Sequence, residues 1–164
     1  MKQNEKVLVA YFTASEGRVT ERVARRLAEA IQADVFQIKP KEPYTKSDIN
    51  WINPLARCNK EKLGKKEVEV EGKVENMSEY DLIFIGFPIW YGGAPNVVYT
   101  FVKGYDLSGK KLVLFATSGA SGIGRSAEKL KPYVSDTARI LDAKLWKGKA
   151  GAGELKAWAE QWMD

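Results

Sequence analysis

The stretch VLVAYFTASEGRVTERV, residues 7–23, decides how the chain is organised. It opens with six apolar or aromatic residues, 7–12, and so short a run is typical of a strand buried on both faces. Residues 13–20 form a polar segment that contains hydroxyl side chains, Gly17 and Arg18. Apolar residues then recur at helical spacing, namely Val23, Leu27, Ala30 and Ile31. The stretch therefore predicts a strand, a polar loop and the start of a helix.

The polar loop has two interpretations. The first N–H groups of a helix have no partner inside the helix, and the helix dipole favours negative charge there, so nearby hydroxyls can complete a phosphate site. Serine or threonine in such a turn is usually a simple helix N-cap, so this stretch alone favours capping and phosphate binding about equally. The loop lacks the Gly-Lys-Ser/Thr of a P-loop and the spaced glycines of a dinucleotide-binding fingerprint. If it binds an anion, the pattern favours a small phosphoester over a nucleoside triphosphate or NAD.

One cysteine and no histidine among 164 residues exclude several kinds of site. Cys58 has no second cysteine for an internal disulfide, and we expect it to be a passive side chain. Without histidine there is no Cys–His pair, no Ser–His catalysis and no ordinary zinc site. A chain of this length with 45% hydrophobic residues is most simply one globular domain, residues 1–164.

The charge and hydropathy of the chain argue against a nucleic-acid site and against a membrane span. The net charge is +5, but the lysines are scattered among acidic residues and accompany no recognition-helix or zinc-finger pattern. A solvated basic surface is therefore favoured over a nucleic-acid site. The polar start of the chain does not resemble a signal peptide, and no apolar run approaches the roughly 20 residues of a membrane span. We expect a cytoplasmic protein without a membrane span.

Four further strands are predicted downstream, at residues 34–38, 82–87, 112–116 and 138–143. Residues 41–80 are the least regular part, where we expect a helix near Asp48, capped by Ser47, and a long surface connection. The terminal helix carries core residues at helical spacing, namely Leu155, Trp158, Ala159 and Trp162. Strands that alternate with helices imply right-handed crossovers, and hence an α/β, doubly wound parallel sheet with helices on both faces.

Three of these strands run directly into loops rich in Gly, Ser and Thr, and parallel strands place such loops at one edge of the sheet. The loop after the first strand has hydroxyls that suit a phosphate. The loop after residues 82–87 has Trp90 and Tyr91, beside glycines that let the backbone approach a planar ring. Together these loops indicate a mononucleotide with an extended ring system, which we interpret as a flavin.

The chain resembles the flavodoxin family, specifically its short-chain flavodoxin-like group. The resemblance is carried by VLVAYFTAS at residues 7–15, EPYTKSDINW at 42–51, YDLIFIGFPIWYGGAP at 80–95, YDLSGKK at 105–111 and FATSGASGIGRS at 115–126. It implies a flavodoxin-like, doubly wound five-stranded parallel sheet in the order 2-1-3-4-5, with FMN bound noncovalently at the strand ends.

The resemblance also implies which residues hold the cofactor. The family's phosphate loop corresponds to Thr13, Ser15, Gly17, Arg18, Val19 and Thr20. It is longer here than the compact family loop and brings Glu16 near the expected phosphate, where Arg18 would offset its charge. The loop over one face of the ring corresponds to Pro88, Ile89, Trp90, Tyr91 and Gly92. The loop on the other side corresponds to Thr117, Ser118, Gly119 and Gly122.

Three functions are compatible with this resemblance. The first is electron transfer with a redox partner protein. The second is an FMN-dependent reductase that takes hydride from NAD(P)H and reduces a small acceptor such as a quinone. The third is an interaction module that keeps the fold without a flavin. Familiar flavodoxin carriers are acidic, whereas this chain is basic. This difference gives the reductase hypothesis more weight than the family resemblance alone would give it.

Overall fold

The structure is a computed structural model that describes residues 5–14, 17–63, 67–118 and 122–163. The strands are β1 (Val7–Tyr11), β2 (Asp34–Gln37), β3 (Lys39–Pro40), β4 (Val70–Glu71), β5 (Leu82–Pro88), β6 (Lys111–Thr117) and β7 (Arg139–Leu145). Five of them form a parallel sheet in the order β2-β1-β5-β6-β7. Counted within this sheet alone, the order is 2-1-3-4-5, so the predicted topology is confirmed.

Helices cover both faces of the sheet. They are α1 (Val19–Ile31), α2 (Arg57–Leu63), α3 (Asn96–Lys103), α4 (Ser126–Leu130) and α5 (Ala152–Glu160). Strand β1 needs helices on both faces of the sheet, because all five of its residues are buried. Val7 and Val9 pack in one cluster with residues of α1 and α5, whereas Leu8 and Ala10 pack in the other with residues of α3. The alternation of side chains along a strand produces this division.

Two predictions about residues 41–80 need correction. Residues 46–52 form turns, and the helix begins only at Arg57. The turn is held by Thr45, whose N–H donates to Asp48 Oδ2 at 2.9 Å and whose hydroxyl accepts from the Asp48 N–H at 3.2 Å, so Ser47 is not the capping residue. Pro54 has no N–H to continue a helix from there. The second correction is the short antiparallel pair of β3 and β4, which the sequence analysis missed.

The ends of the chain's other elements agree closely with the sequence pattern. The last strand reaches Leu145, two residues beyond the predicted end at Ala143, and continues to pair with β6 there. Leu155, Trp158 and Ala159 of α5 are buried, as their spacing predicted. No helix in the described ranges is long and apolar enough to cross a membrane.

Candidate functional site

The three predicted loops meet at the carboxyl edge of the sheet. The Ile89 N–H, just after β5, donates to Thr117 O at the end of β6, at 2.9 Å. The Thr20 hydroxyl, in the first turn of α1, lies 2.7 Å from the Thr117 hydroxyl. The Arg125 N–H donates to Gly92 O at 3.0 Å, which joins the second and third loops. Parallel strands of similar length make this convergence possible.

The first loop contains a buried hydroxyl without a partner. Thr13 Oγ1 is buried, and it has no hydrogen-bond partner among the described residues. A buried polar group that lacks a partner is costly, and proteins usually satisfy it with another group or a ligand. Thr13 lies two residues after the end of β1 at Tyr11, so the hydroxyl without a partner lies where the sequence predicts a phosphate. This observation fits a bound phosphoester.

The geometry at the start of α1 argues against the interpretation of the polar loop as a simple helix N-cap. The residue before the helix is Arg18, in a left-handed conformation with φ 49° and ψ 44°, and within the described chain no side chain caps the helix there. Gly17 and Arg18 are exposed, and Val19 is half-buried. Ser15 and Glu16 lie outside the described residues. The helix start therefore leaves its first N–H groups to partners outside the helix.

Thr20 has a structural partner as well as a predicted ligand. It is buried, and its hydroxyl bonds to that of Thr117. A hydroxyl has one proton to donate, so one of these two threonines uses its proton inside the protein. Only the other can donate to a phosphate. This restricts the predicted phosphate ligands in a way that the sequence pattern does not reveal.

An acidic residue near the helix start is neutralised by neighbours. Glu21 accepts a hydrogen bond from Tyr11 Oη at 2.6 Å, and Arg25 Nη2 donates to the same Tyr11 oxygen at 3.0 Å. Glu21 also lies within ion-pair distance of Arg25 and Arg18. Burial, followed by the hydrogen bond to Glu21, raises the pKa of Tyr11 to about 12, so Tyr11 remains a hydrogen-bond donor. The carboxylate of Glu21 is thus compensated at the edge of the predicted phosphate site.

The second loop is a tight two-residue turn. Trp90 and Gly93 exchange N–H···O bonds of 2.8 and 3.2 Å, and the two residues between them have positive φ, 55° at Tyr91 and 77° at Gly92. This is the geometry of a type I′ turn, in which glycine at the second position avoids strain. The third loop packs directly on this turn. A Cβ at Gly124, where φ is 62°, would lie only 2.5 Å from Gly92 O.

Trp90 is held edge-on by two aromatic rings. The centroids of Phe12 and Tyr44 lie 5.8 and 5.3 Å from that of Trp90, with interplanar angles of 89° in both cases. Tyr44 is itself fixed by α2, because its hydroxyl donates to Glu61 and the Arg57 guanidinium lies 4.0 Å from its ring centroid. The irregular segment before α2 therefore positions the aromatic residue that we expect at the flavin.

Beside this turn lies a cavity of about 230 Å³. It is lined by Ile89, Trp90 and Tyr91 of the turn and by Ile49, Trp51 and Cys58 of the segment before and within α2. Cys58 Sγ lies 3.9 Å from Tyr91 Oη. Sequence analysis missed the contribution of Tyr44, Trp51 and Cys58. The available signals were the aromatic residues in a segment without regular periodicity and, for Tyr44 and Trp51, the stretch at residues 42–51 that carries the family resemblance.

The remaining predicted site residues lie at the same edge. Pro88 ends β5 and Thr117 ends β6. Ser118, directly after β6, is half-buried, and Gly122 is exposed. Gly119 lies outside the described residues. In the described ranges no cluster of acidic residues and cysteine is arranged to hold a metal ion.

Comparisons with known proteins agree with this architecture. The structure is similar to that of a candidate flavoprotein from Bacteroides eggerthii, with 38% identity, a TM-score of 0.87, and coverage of 96% of this chain and 98% of that one. A second candidate flavoprotein, from Bacteroides uniformis, has 33% identity, a TM-score of 0.86, and coverage of 96% and 99%. A flavoprotein from Lactobacillus acidophilus, solved in complex with FMN, shares the fold at 19% identity, with a TM-score of 0.67 and coverage of 94% and 99%.

None of the curated proteins compared with this chain matches it. The sequence model of the flavodoxin family, in contrast, matches residues 6–162, nearly the whole length. The match covers all seven strands and all five helices described above. This chain therefore belongs to the flavodoxin family.

Proposed function

We propose that this protein binds FMN noncovalently at the converging loops and transfers electrons to and from a redox partner. The observation that carries the proposal is the buried, unpartnered hydroxyl of Thr13 in the predicted phosphate loop. It is supported by family membership and by the FMN complex of the Lactobacillus acidophilus flavoprotein, which has the same fold. The residues at the site fit the cofactor because they combine a hydroxyl-bearing helix start with an aromatic turn.

The roles proposed for the residues follow the three loops. Phosphate binding is assigned to Thr13, Ser15, Gly17, Arg18, Val19 and Thr20. Coverage of one ring face is assigned to Pro88, Ile89, Trp90, Tyr91 and Gly92, and contact with the other side to Thr117, Ser118, Gly119 and Gly122. FMN supplies one- and two-electron chemistry when bound. The chain contributes orientation, exclusion of water and hydrogen bonds, so it needs no acid, base or nucleophile of its own.

A reductase activity is the second candidate, and the apolar cavity beside Trp90 favours it. The cavity of about 230 Å³ adjoins the turn proposed to cover the flavin, and Ile49 and Trp51 add apolar surface to it. Trp51 is 71% exposed, which is unusual for so large an apolar side chain unless it contacts a ligand or partner. A flat apolar acceptor such as a quinone, reduced at the expense of NAD(P)H, suits such a place.

The first experiment is a visible spectrum of the purified protein before and after addition of FMN. We expect a yellow protein with a saturable flavin spectrum and quenched flavin fluorescence. A protein that stays colourless at saturating FMN would contradict the proposal and favour an interaction module without cofactor. Steady-state oxidation of NAD(P)H with a quinone then separates the two redox functions. Turnover by the holoprotein alone supports the reductase, and dependence on an added reductase supports the carrier.

A further inference from the structure

A second cavity, of about 520 Å³, lies along α3 and shares no lining residue with the cavity beside Trp90. Its walls include Lys62, Lys103, Lys129, Tyr99, Tyr133 and Glu67. Lys129 connects the cavity to the turn, because its Nζ donates to Tyr91 O at 2.9 Å. A Cβ at Gly93 would lie 3.0 Å from Lys129 Cδ, so the lysine side chain also packs on the turn.

Lys62 is fixed at this cavity. Its Nζ donates to Ala94 O at 2.6 Å and to Asn96 Oδ1 at 3.2 Å, and it lies 4.6 Å from the ring centroid of Tyr99. These contacts place the ammonium at the first residue of α3, where the helix dipole is positive. The N-terminus of α3 therefore adds to the positive potential at the Lys62 ammonium and does not compensate its charge.

The charge around the cavity is not balanced. Within the described ranges neither Lys62 nor Lys129 has a carboxylate at ion-pair distance, whereas Lys103 pairs with Glu67 at 3.3 Å. Burial, and then the charge of Lys129, lowers the pKa of Lys62 to about 8. Positive charge that is partly removed from water and lacks a counter-charge is unfavourable, and an anion would relieve it. The three lysines and one glutamate that line the cavity leave an excess of two positive charges.

We propose that this cavity binds a small dianionic oxyanion group, such as a phosphate, between Lys62 and Lys129. Two ammonium groups match the charge of such a group, and both can donate to its oxygens. The rings of Tyr99 and Tyr133 are stacked with centroids 4.6 Å apart, and Tyr133 is 41% exposed. An aromatic phosphomonoester would find a stacking surface there. Because Lys129 also holds Tyr91 O, occupancy of this site is coupled to the turn that covers the apolar cavity.

The site is separate from the proposed FMN phosphate loop and does not depend on it. Lys62 belongs to α2 and Lys129 to α4, whereas the phosphate loop joins β1 to α1. The binding test should therefore be made on the protein as purified and again in the presence of saturating FMN. A failure to bind FMN leaves this proposal standing, whereas sulfate binding that is unchanged in Lys62→Gln and lost on saturation with FMN would place the anion at the flavin site and overturn it.

Sulfate is the first probe, because it keeps two negative charges throughout the titration of Lys62. Isothermal titration at constant ionic strength should show saturable binding that weakens about tenfold or more in Lys62→Gln and in Lys129→Gln. Lys60→Gln, an exposed position on the same helix, is the control for net charge and should bind like the wild type. Far-UV circular dichroism establishes that each variant is folded. Equal affinity in all four proteins would overturn the proposal, and so would an absence of binding in the wild type.

The pH dependence is a second, independent measurement. Lys62 faces Lys129, Lys103, Glu67 and the phenols of Tyr99 and Tyr133, and burial raises the pKa of Tyr99 to about 12. Only protonated Lys62 attracts the anion, so sulfate affinity should fall as pH rises through about 8 and above, and this fall should disappear in Lys62→Gln. A fall that persists in Lys62→Gln would contradict the assignment.

The source of the anionic group is distinguished by comparing inorganic phosphate with phenyl phosphate. Tighter binding of phenyl phosphate, lost in Tyr133→Ala, would assign the cavity to an aromatic phosphomonoester. Equal binding of the two probes would assign it to the free inorganic anion. Both results support the anion site, provided that Lys62→Gln weakens binding of each probe. Binding of either probe that is unchanged in Lys62→Gln would contradict it.

Discussion

Thr13 carries a buried hydroxyl that a bound phosphate, as proposed above, would supply with a hydrogen-bond partner. Its Oγ1 is buried and has no partner among the described residues, while neighbouring apolar residues of β1 are fully packed. A buried hydroxyl of this kind costs about 1–3 kcal/mol relative to a shape-matched apolar group. Stability therefore favours an apolar side chain at position 13, whereas binding of the FMN phosphate favours the hydroxyl.

The first prediction uses that opposition. Thr13→Val keeps the shape of the side chain and removes the hydroxyl, so the protein without FMN should be stabilised by about 1–3 kcal/mol. FMN affinity should fall by about tenfold, because the phosphate loses a hydrogen-bond donor. Urea denaturation measures the first effect and fluorescence titration with FMN the second. Thr137→Val is the control for FMN affinity: this exposed hydroxyl accepts from the Gly109 N–H at 3.1 Å, so its loss should reduce stability and leave FMN binding unchanged.

Loss of stability together with unchanged FMN affinity in Thr13→Val would remove the main support for a phosphate site in this loop. A parallel loss of both would instead indicate that the variant disturbs the end of β1. The two measurements therefore distinguish a ligand-binding hydroxyl from one that only supports the fold.

Trp90 is the second residue at which cofactor binding can be tested. Trp90→Ala removes stacking and apolar contact area and should weaken FMN binding by about 1 kcal/mol or more, with a shift of the flavin absorption bands. Trp162→Ala, at the half-buried end of the terminal segment, controls for general loss of a tryptophan. An FMN titration and spectrum identical to those of the wild type would mean that residues 88–92 do not cover the ring.

At the scale of elements, the carboxyl ends of β1, β5 and β6 bring three loops together, and close backbone contacts hold them there. Gly124 illustrates this, since its positive φ disfavours a side chain and its contact with Gly92 O leaves no room for one. Gly72 also has a positive φ, 73°, but nothing lies within 4 Å of a Cβ placed there. A comparison of Gly72 with Gly124 therefore distinguishes the cost of a left-handed backbone from the cost of disturbing the contact between the second and third loops.

The third prediction compares these two glycines. Gly72→Ala should cost about 1 kcal/mol from the left-handed backbone alone. Gly124→Ala should cost more in unfolding free energy and should also weaken FMN binding, because the third loop must move away from the turn at Gly92. Urea denaturation and FMN titration of both variants provide the measurements. If Gly124→Ala behaves like Gly72→Ala in both, the contact with Gly92 has no role in the site.

Element boundaries were predictable to the extent that they depend on local patterning. The strands at residues 7–12, 82–87 and 112–116 were recognisable because a strand buried on both faces must be apolar throughout. The turn at residues 46–52 was mistaken for a helix capped by Ser47, whereas in the structure Thr45 and Asp48 form reciprocal hydrogen bonds that close a turn. Pro54 has no N–H with which to continue a helix through this segment.

At the scale of the whole molecule, the excess of positive charge governs which acceptors approach it. The chain has a net charge of +5, and the phosphate of bound FMN would add about −2, which leaves the holoprotein basic. Long-range attraction of this kind changes association rates more than it changes affinity, and salt screens it. A basic carrier should therefore select an anionic acceptor, in contrast to acidic flavodoxin carriers.

The fourth prediction follows from that charge. Reoxidation of the reduced holoprotein by ferricyanide, an anion, should slow as ionic strength rises. Reoxidation by cytochrome c, a cationic protein, should accelerate under the same conditions. Stopped-flow absorbance of the flavin at several salt concentrations measures both rates. The opposite salt dependence would show that the acceptor approaches a locally acidic surface despite the basic net charge.

By itself, the sequence determined the strands of the central sheet, their parallel order and the positions of three loops at one edge. Hydrophobic patterning is local and periodic, and the crossover rule makes the sheet parallel, whereas the strand order 2-1-3-4-5 came from the resemblance to the flavodoxin family. Only the tertiary structure decided that Tyr44 and Trp51 reach the aromatic turn, that Thr20 pairs with Thr117, and that Lys62 and Lys129 share a cavity. These contacts join residues far apart in the chain, and no periodic signal marks them, because they depend on how the irregular segments fold back onto the finished sheet.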